Sequence, residues 1–544
     1  MSVSSAVVRF EALNKILSTL SSDYMADVEN RHQNIVLGRL DKHLKEMGTT
    51  TVIIEHDYVD RHFIEDYCGH FGRCFHDYVK KCVRLHFFTG DFDDDVLKAV
   101  VIEYNENKDT ILALGDYVGH IVLRPLPLAL LGRVCLKMKP DSEDFHILRK
   151  NFETHFCGMT FHVDTIAFQE QDHAVSACAT AALWAAFHAM PGNRSQDVPS
   201  PHKITSDARK VVTDGTHARI VDKGLSVAQM IGVIRNNGYD TVTSGYVTMS
   251  YTKALIRAYL NIGIPIILGA ELYYRSDSDE LPEVMREIGA HAVTVLGCDY
   301  NTKIKSFHTG VSDLKKDDAI ADLYLESSGI SSIYVHDDQI GPYSKMTFPD
   351  EYAMAMETEW ESLKGGRTVD ARITALLIPC DIKIRIGFDA ILDIAMRLNF
   401  ILSPQYKEWG IRISWDIKLE SVCSLKNEII NLSSEEIDDE LRYNLLSRPL
   451  PRFIWAIDMY SENINNPEGS KSKDASFYFD ATDIEKADFL LCGVHYDEEG
   501  YILNKAIVTS YKRSHDLDSF PRAVKGLLQL YDKDKANRLI YPTT

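Results

Sequence analysis

Cys178 opens a run of small and apolar residues that extends through Trp184, with Gln171 a short way upstream. Farther along, His291 heads an apolar stretch that continues through Ala292, Val293, Val295 and Leu296 to Gly297. A third stretch, through Ile333, Tyr334 and Val335, ends on Asp337 and Asp338 before Gly341, Pro342 and Tyr343. Thiol, imidazole and carboxylate in that order are the inventory of a cysteine hydrolase. A free thiol, with a pKa of about 8.5, is mostly protonated at neutral pH. The chemistry therefore needs a helix N-terminus and an imidazolium beside the sulfur. His291 is the expected general base and then the general acid for the leaving amine. Asp337 is the first choice for fixing its tautomer. Asp338 is the alternative, because one residue of register reverses the face of a strand. Gln171 is the candidate side-chain donor to the tetrahedral oxyanion, beside the Cys178 backbone N–H.

Placing these groups takes a helix, two strands and a cleft between them. Leu183, Phe187 and Met190 recur at helical spacing after Cys178 and predict a helix anchored in the core. A proline-rich stretch from Pro191 to Pro201 follows, then an amphipathic helix closed by Gly238. A further helix is predicted from Tyr251 to Leu260, broken by Gly263 and Pro265, with a buried strand from Ile264 to Leu268. The strands at His291 and Ile333 complete a helices-then-sheet order. That order predicts an α+β fold, a helical half packed on an antiparallel sheet with nucleophile and base on opposite walls of a cleft.

The chain has 544 residues, enough for two to four domains. It divides into an N-terminal α+β region (1–150), a central region with the reactive residues (151–350) and a C-terminal region (351–544). The two flanks are expected to mix helices and strands. In the first, a helix is expected from Arg9 to Leu20, with strands at Thr50–Ile54, Leu85–Phe88, Ala99–Ile102 and Tyr117–Pro125. In the last, strands are expected at Ile373–Ile378 and Ile411–Ile417, a helix at Phe388–Leu398 and a polar loop at Ser461–Asp474. Hydrophobic and charged contents of 45% and 25% suit a soluble globular protein. The net charge of −20 argues against a general nucleic-acid surface. No run of about 18 apolar residues predicts a membrane span, and no secretory leader is evident at the N-terminus. The 10 cysteines lack the regular spacing of a disulfide framework, so reduced thiols and a cytoplasmic location are expected.

The residues from 160 to 350 resemble the papain-like cysteine peptidase superfamily, and within it the bacterial peptidase domains of bacteriocin-processing exporters. The likeness rests on Gln171 before Cys178, on the stretch from His291 to Gly297, and on Val335 to Asp337 leading into Gly341. It implies a papain-like domain that cleaves peptide or amide bonds through an acyl-enzyme, without metal or cofactor. In that likeness Cys178 is the nucleophile, His291 the base, Asp337 the orienting acid and Gln171 the oxyanion donor. The sequence departs from the pattern in two places. Gln171 lies one residue farther from the cysteine than is usual, which leaves Gln169 as an alternative. The connection between His291 and Asp337 is also longer, and residues 301–330 read as an inserted hairpin or helix and a candidate lid over the cleft.

Cys68, His70, Cys74 and His76 invite a zinc reading, but one residue separates the members of each pair, tighter than structural zinc sites use. No phosphate-binding glycine loop, metalloprotease helix or serine nucleophile elbow is present. The sequence is thus read as a cysteine peptidase acting on a specific protein or peptide. Its flanks are expected to recruit substrate, dock a regulatory protein or hold the enzyme silent. The same trio would serve a transglutaminase-like or amidase reaction, and a retired scaffold that only binds a partner would keep the same fold.

Overall fold

The computed structural model describes the chain from Ser5 to Ile502 apart from residues 21–30, 127–128, 139–144, 173, 176, 193–196, 212–223, 245–247, 275–286, 301–322, 350–354, 362–367, 409, 433–438, 465–470, 484–489 and 498–499. The architecture is mixed α+β, built on antiparallel sheets. Of the candidate lid, residues 301–322 lie outside the described residues, whereas its end is described, with Leu323 and Leu325 buried and a short 3-10 turn at Glu326–Gly329.

The N-terminal sheet runs in the order β1 (Ser5–Arg9), β2 (Thr51–Tyr58), β3 (Cys82–Phe88), β4 (Tyr117–Leu123) and β5 (Leu131–Leu136). Helices α1 (Leu13–Leu17), α2 (Arg31–Glu46), α3 (Arg61–Gly69) and α4 (Asp94–Glu103) accompany it. Of the helix expected over residues 9–20, only the short α1 forms, and Arg9 belongs to the edge strand β1. The strand expected at Ala99–Ile102 is part of α4, in which Leu97 and Val100 are buried and Ile102 is exposed. Asp93 caps that helix by accepting from the N–H groups of Asp95 and Val96, with Asp94 and Asp95 in its first turn. Cap and dipole override the β-branched text.

The central region begins with β6 (Phe145–Ile147) and the hairpin of β7 (Lys150–Phe156) and β8 (Met159–Thr165). Helices α5 (Cys178–Ala189), α6 (Pro201–Ala208) and α7 (Val227–Asn236), strand β9 (Asp240–Ser244) and helix α8 (Met249–Leu260) follow. Gly238, just past α7, adopts φ 85°, the left-handed stop read from the sequence. Next come β10 (Ile266–Tyr274), β11 (Glu287–Tyr300), β12 (Ile330–Asp337), β13 (Gly341–Thr347), β14 (Met356–Glu361) and β15 (Thr368–Cys380). Each pairs with the next, and β15 returns to pair with β10, so these strands close into a barrel. The later part of β15 also takes β9 along its other edge. The central sheet thus does not stop at residue 350. It needs β14 and β15, both past that boundary, to close.

Alternation along the strands separates two cores. Leu268, Val293 and Leu376 belong to the core that fills the barrel, whereas Ile267, Ala292 and Leu377 pack outward against α5. The barrel core runs on through α8 into the C-terminal region, reaching Trp415 and Trp455. That region comprises α9 (Phe388–Glu408), β16 (Ile411–Ser421), α10 (Val422–Asn431), α11 (Asp439–Ser447), β17 (Phe453–Asn463), β18 (Ser472–Asp480), β19 (Leu490–Asp497) and β20 (Gly500–Ile502), with β16 to β20 in sequential order in one sheet. Both ends of the stretch expected as a loop at 461–474 are strand, because β17 runs to Asn463 and β18 starts at Ser472. Arg257 of α8 donates to both carboxylate oxygens of Asp416 at 3.2 and 2.9 Å, tying β16 to the central helices. No helix among the described residues is long and apolar enough to cross a membrane.

A chain cut after residue 350 loses β14 and β15 and leaves β10 and β13 with open edges. It is expected to aggregate and to show no cooperative melt by circular dichroism; a sharp melt from soluble material would contradict the barrel closure.

Candidate active site

The place of Cys178 is set by helix α5. Helices α3, α4, α6, α7 and α8 each carry a side-chain cap, from Asp60, Asp93, Ser200, Ser226 and Thr248. Helix α5 instead begins after Ala177, which has none. Cys178 is its first residue and is half-buried, while the next turns, including Leu183, Trp184 and Phe187, are buried. The start of this helix therefore keeps its positive end for whatever negative charge arrives there. On the barrel side, Thr294 of β11 donates to the Ala182 carbonyl at 2.6 Å. On the other side, the Trp184 indole N–H donates to His62 Nδ1 at 2.9 Å.

His291 lies on β11 with its ring in the barrel mouth, on the same face as Val293. The Cys178 thiol is within hydrogen-bond reach of the imidazole. Its Nε2 is turned to the acids, 3.2 Å from Asp337 Oδ1 and 3.8 Å from Asp338 Oδ1, which leaves Nδ1 for the sulfur. The contact with Asp337 is an ion pair more than a directed hydrogen bond, since among the described residues no acceptor lies along the Nε2–H direction. All three side chains are buried. Asp337 is the better oriented acid: its Oδ1 accepts from the Gln339 N–H at 2.9 Å and its Oδ2 from the Trp360 indole N–H at 2.8 Å. The Trp360 ring also meets His291 edge to face, with centroids 5.2 Å apart. Asp338 has no hydrogen-bond partner on either oxygen among the described residues.

The electrostatics follow from burial and these neighbours. Burial opposes a charged imidazole, but the Asp337 charge and contact, Cys178 and Asp338 together hold His291 well above its ordinary range. Burial likewise opposes ionising Asp337. His291 and the N–H groups of Gln339 and Trp360 overcome it and keep this carboxyl below the usual range. Asp338 lacks those donors. Burial, with Asp337 beside it, pushes its carboxyl up to about 7 against the pull of His291.

The segment leading into Cys178 is gripped from both sides. Phe168 and Val134 exchange backbone hydrogen bonds of 2.8 and 3.0 Å, which attaches it to β5. Arg124, buried at the end of β4, donates from Nη2 to the carbonyls of Leu131 and Glu170 at 3.0 Å each. From the barrel, His336 donates from Nε2 to the Ile166 carbonyl at 3.1 Å, and the Tyr343 hydroxyl accepts the Ile166 N–H at 2.7 Å. Burial pushes His336 down to about 3, which keeps it neutral and able to accept the Tyr343 N–H on Nδ1.

The structure therefore brings Cys178, His291 and Asp337 together, with Asp338 beside them. Gln171 and Gln169 are both buried on the approach segment, and among the described residues no hydrogen bond joins either to Cys178 or His291. Gln169 lies with Asp338 in a small cavity behind Ala181, Ala182 and Ala185 of α5. Among the described residues, the one group of three side chains whose ligating atoms converge within 4.8 Å is His291, Asp337 and Asp338. The Cys68–His76 segment forms no such group: Cys68 and Cys74 are exposed, His70 packs on Phe71 and His76 on Tyr78. Trp360 and Arg124 were not foreseen. Only the alternation of Met356, Thr358 and Trp360 with Glu357 and Glu359 marks an inward face in that stretch. No family model matches the chain, and no curated protein matches it.

Three carboxyls around this site are raised: Asp66 and Glu170 chiefly by burial, Glu170 to about 8, and Asp338 as above. A raised carboxyl contributes stability that is present below its unfolded pKa and lost as pH rises through the folded one. The raised His291 has the same sign above 6.5. The urea midpoint is expected to fall between pH 6.5 and 8, and Glu170→Gln to flatten that fall; a midpoint level or rising over this window contradicts the assignment.

Proposed function

We propose that the chain is a cysteine hydrolase with a papain-like central region, cleaving a peptide bond in a specific protein or peptide. The observation that carries this reading is a thiol at the uncapped start of α5, in reach of an imidazole whose other nitrogen faces Asp337 at 3.2 Å. The sulfur, its proton held by His291, attacks the carbonyl carbon and forms a C–S bond. Negative charge develops on the carbonyl oxygen, where the Cys178 N–H and the positive end of α5 stabilise it. His291 then gives its proton to the leaving nitrogen as the C–N bond breaks, and an acyl-enzyme remains. Water, deprotonated by His291, attacks that thioester and releases the acid and the free thiol. Asp337 does not take the proton; it orients the ring and stabilises the imidazolium.

Gln171 is the glutamine we assign to the oxyanion, since Gln169 sits against later turns of α5 beside Asp338. The cysteines described are all free, which agrees with a reducing, cytoplasmic setting. In this reading the N-terminal region holds the nucleophile's segment in place, and the flanking surfaces supply substrate choice and any docking of a regulatory protein.

Cys178 is expected to react with iodoacetamide at pH 6 at least about tenfold faster than the other cysteines, with His291→Ala removing that advantage. Peptide mapping of the alkylated chain reads each site. Cys178→Ala is expected to abolish cleavage of any substrate found in a peptide library. A Cys178 that reacts no faster than its neighbours contradicts the proposal.

A further inference from the structure

The geometry points to a second use of the same pocket: His291, Asp337 and Asp338 form a zinc site whose occupancy switches the hydrolase off. This inference rests on the cysteine-hydrolase reading for its consequence, but not for the site itself. A Cys-His-Asp mechanism needs one carboxylate, and Asp337 with its two donors already serves. Asp338 is a second carboxylate, 4% exposed, facing the same imidazole nitrogen, and among the described residues no other residue donates a hydrogen bond to either oxygen. A buried carboxylate without a donor is costly to keep, and a cation is the partner its position fits.

The donor set and spacing select the ion. One imidazole nitrogen and two carboxylate oxygens suit Zn²⁺, whereas Ca²⁺ asks for a cage of oxygens and Mg²⁺ retains its waters. Tetrahedral Zn²⁺ with bonds of about 2.0–2.2 Å separates neighbouring donors by about 3.4 Å. The contacts from His291 Nε2, 3.2 Å to Asp337 and 3.8 Å to Asp338, bracket that value. The Gln339 and Trp360 N–H groups on Asp337 are the outer hydrogen bonds that orient a ligating carboxylate. Cys178 is outside the group of converging ligand atoms, so the thiol is not needed as a ligand.

The consequence follows from the ring's two nitrogens. Zn²⁺ on Nε2 takes the place of the proton there, and the neutral ring then carries its proton on Nδ1. Nδ1 has no lone pair left for the proton of Cys178, and Asp337 is engaged by the metal. The base is therefore locked while the ion stays.

Zn²⁺ titrated into the EDTA-stripped full-length chain, followed by calorimetry, is expected to fill one site per chain. Cys178→Ala is expected to retain that site, and Asp338→Asn and Asp338→Ser each to weaken it about tenfold or more, with circular dichroism confirming that each variant is folded. Zn²⁺ is also expected to slow alkylation of Cys178 in the unaltered chain and not in Asp338→Asn. Binding unchanged in both folded Asp338 variants, or lost with Cys178→Ala, overturns the site. Fast alkylation untouched by saturating Zn²⁺ overturns the switch. Slow alkylation with and without Zn²⁺ would instead defeat the hydrolase reading, while binding that depends on Asp338 would still support the metal site.

Discussion

One imidazole buried against two carboxylates sets the demand that the surrounding strands have to meet. Charges withdrawn from water cost several kcal/mol each unless other polar groups replace the solvent. Asp337 receives those replacements from the Gln339 backbone and the Trp360 indole. The first comes from the tight turn between β12 and β13. The second requires β14 to lie across the barrel mouth, where it is held between β13 and β15, and β15 in turn pairs with β10. Barrel closure and the orientation of the acid are thus one structural problem. Against burial, Asp337, Cys178 and Asp338 favour the charged form of His291, and Trp360 packs on its ring in the same corner.

The thiol depends on a different set of supports. Helix α5 is apolar on nearly every side, so burial alone fixes where it lies but says little about where its first turn points. Direction comes from the segment before it, clamped between β5 and the β12–β13 hairpin. Arg124 and the Phe168–Val134 pairing hold one side, and His336 and Tyr343 hold the other. Tyr343 does this with φ at 52°, a strained value for a bulky residue, and its backbone N–H and hydroxyl are both engaged. The N-terminal sheet is consequently part of the apparatus that positions Cys178, in addition to anything its outer surface does.

The sequence made the reactive residues legible because their signals are local. A run of alanines announces close packing for the helix that starts at Cys178, and apolar stretches beginning near His291 and Ile333 announce buried strands. Asp337 and Asp338 could not be separated by register alone, because the choice turns on donors supplied from Gln339 and from the distant Trp360. The same limit hid the barrel: nothing local says that β15 pairs with β10, or that the central sheet runs past residue 350. The misread stretch at Ala99–Ile102 had its answer close by, in the Asp93 cap and the acids after it, yet β-branched residues outweighed them.

The proposed reaction rests on Cys178 and His291 standing as a thiolate–imidazolium pair. Thiolate absorbs near 240 nm, so the pH-dependent absorbance of the unaltered chain minus that of Cys178→Ala isolates this sulfur. A thiolate band at pH 6 that disappears in His291→Ala is the expected result. A difference signal that appears only above pH 8 in the unaltered chain would contradict it.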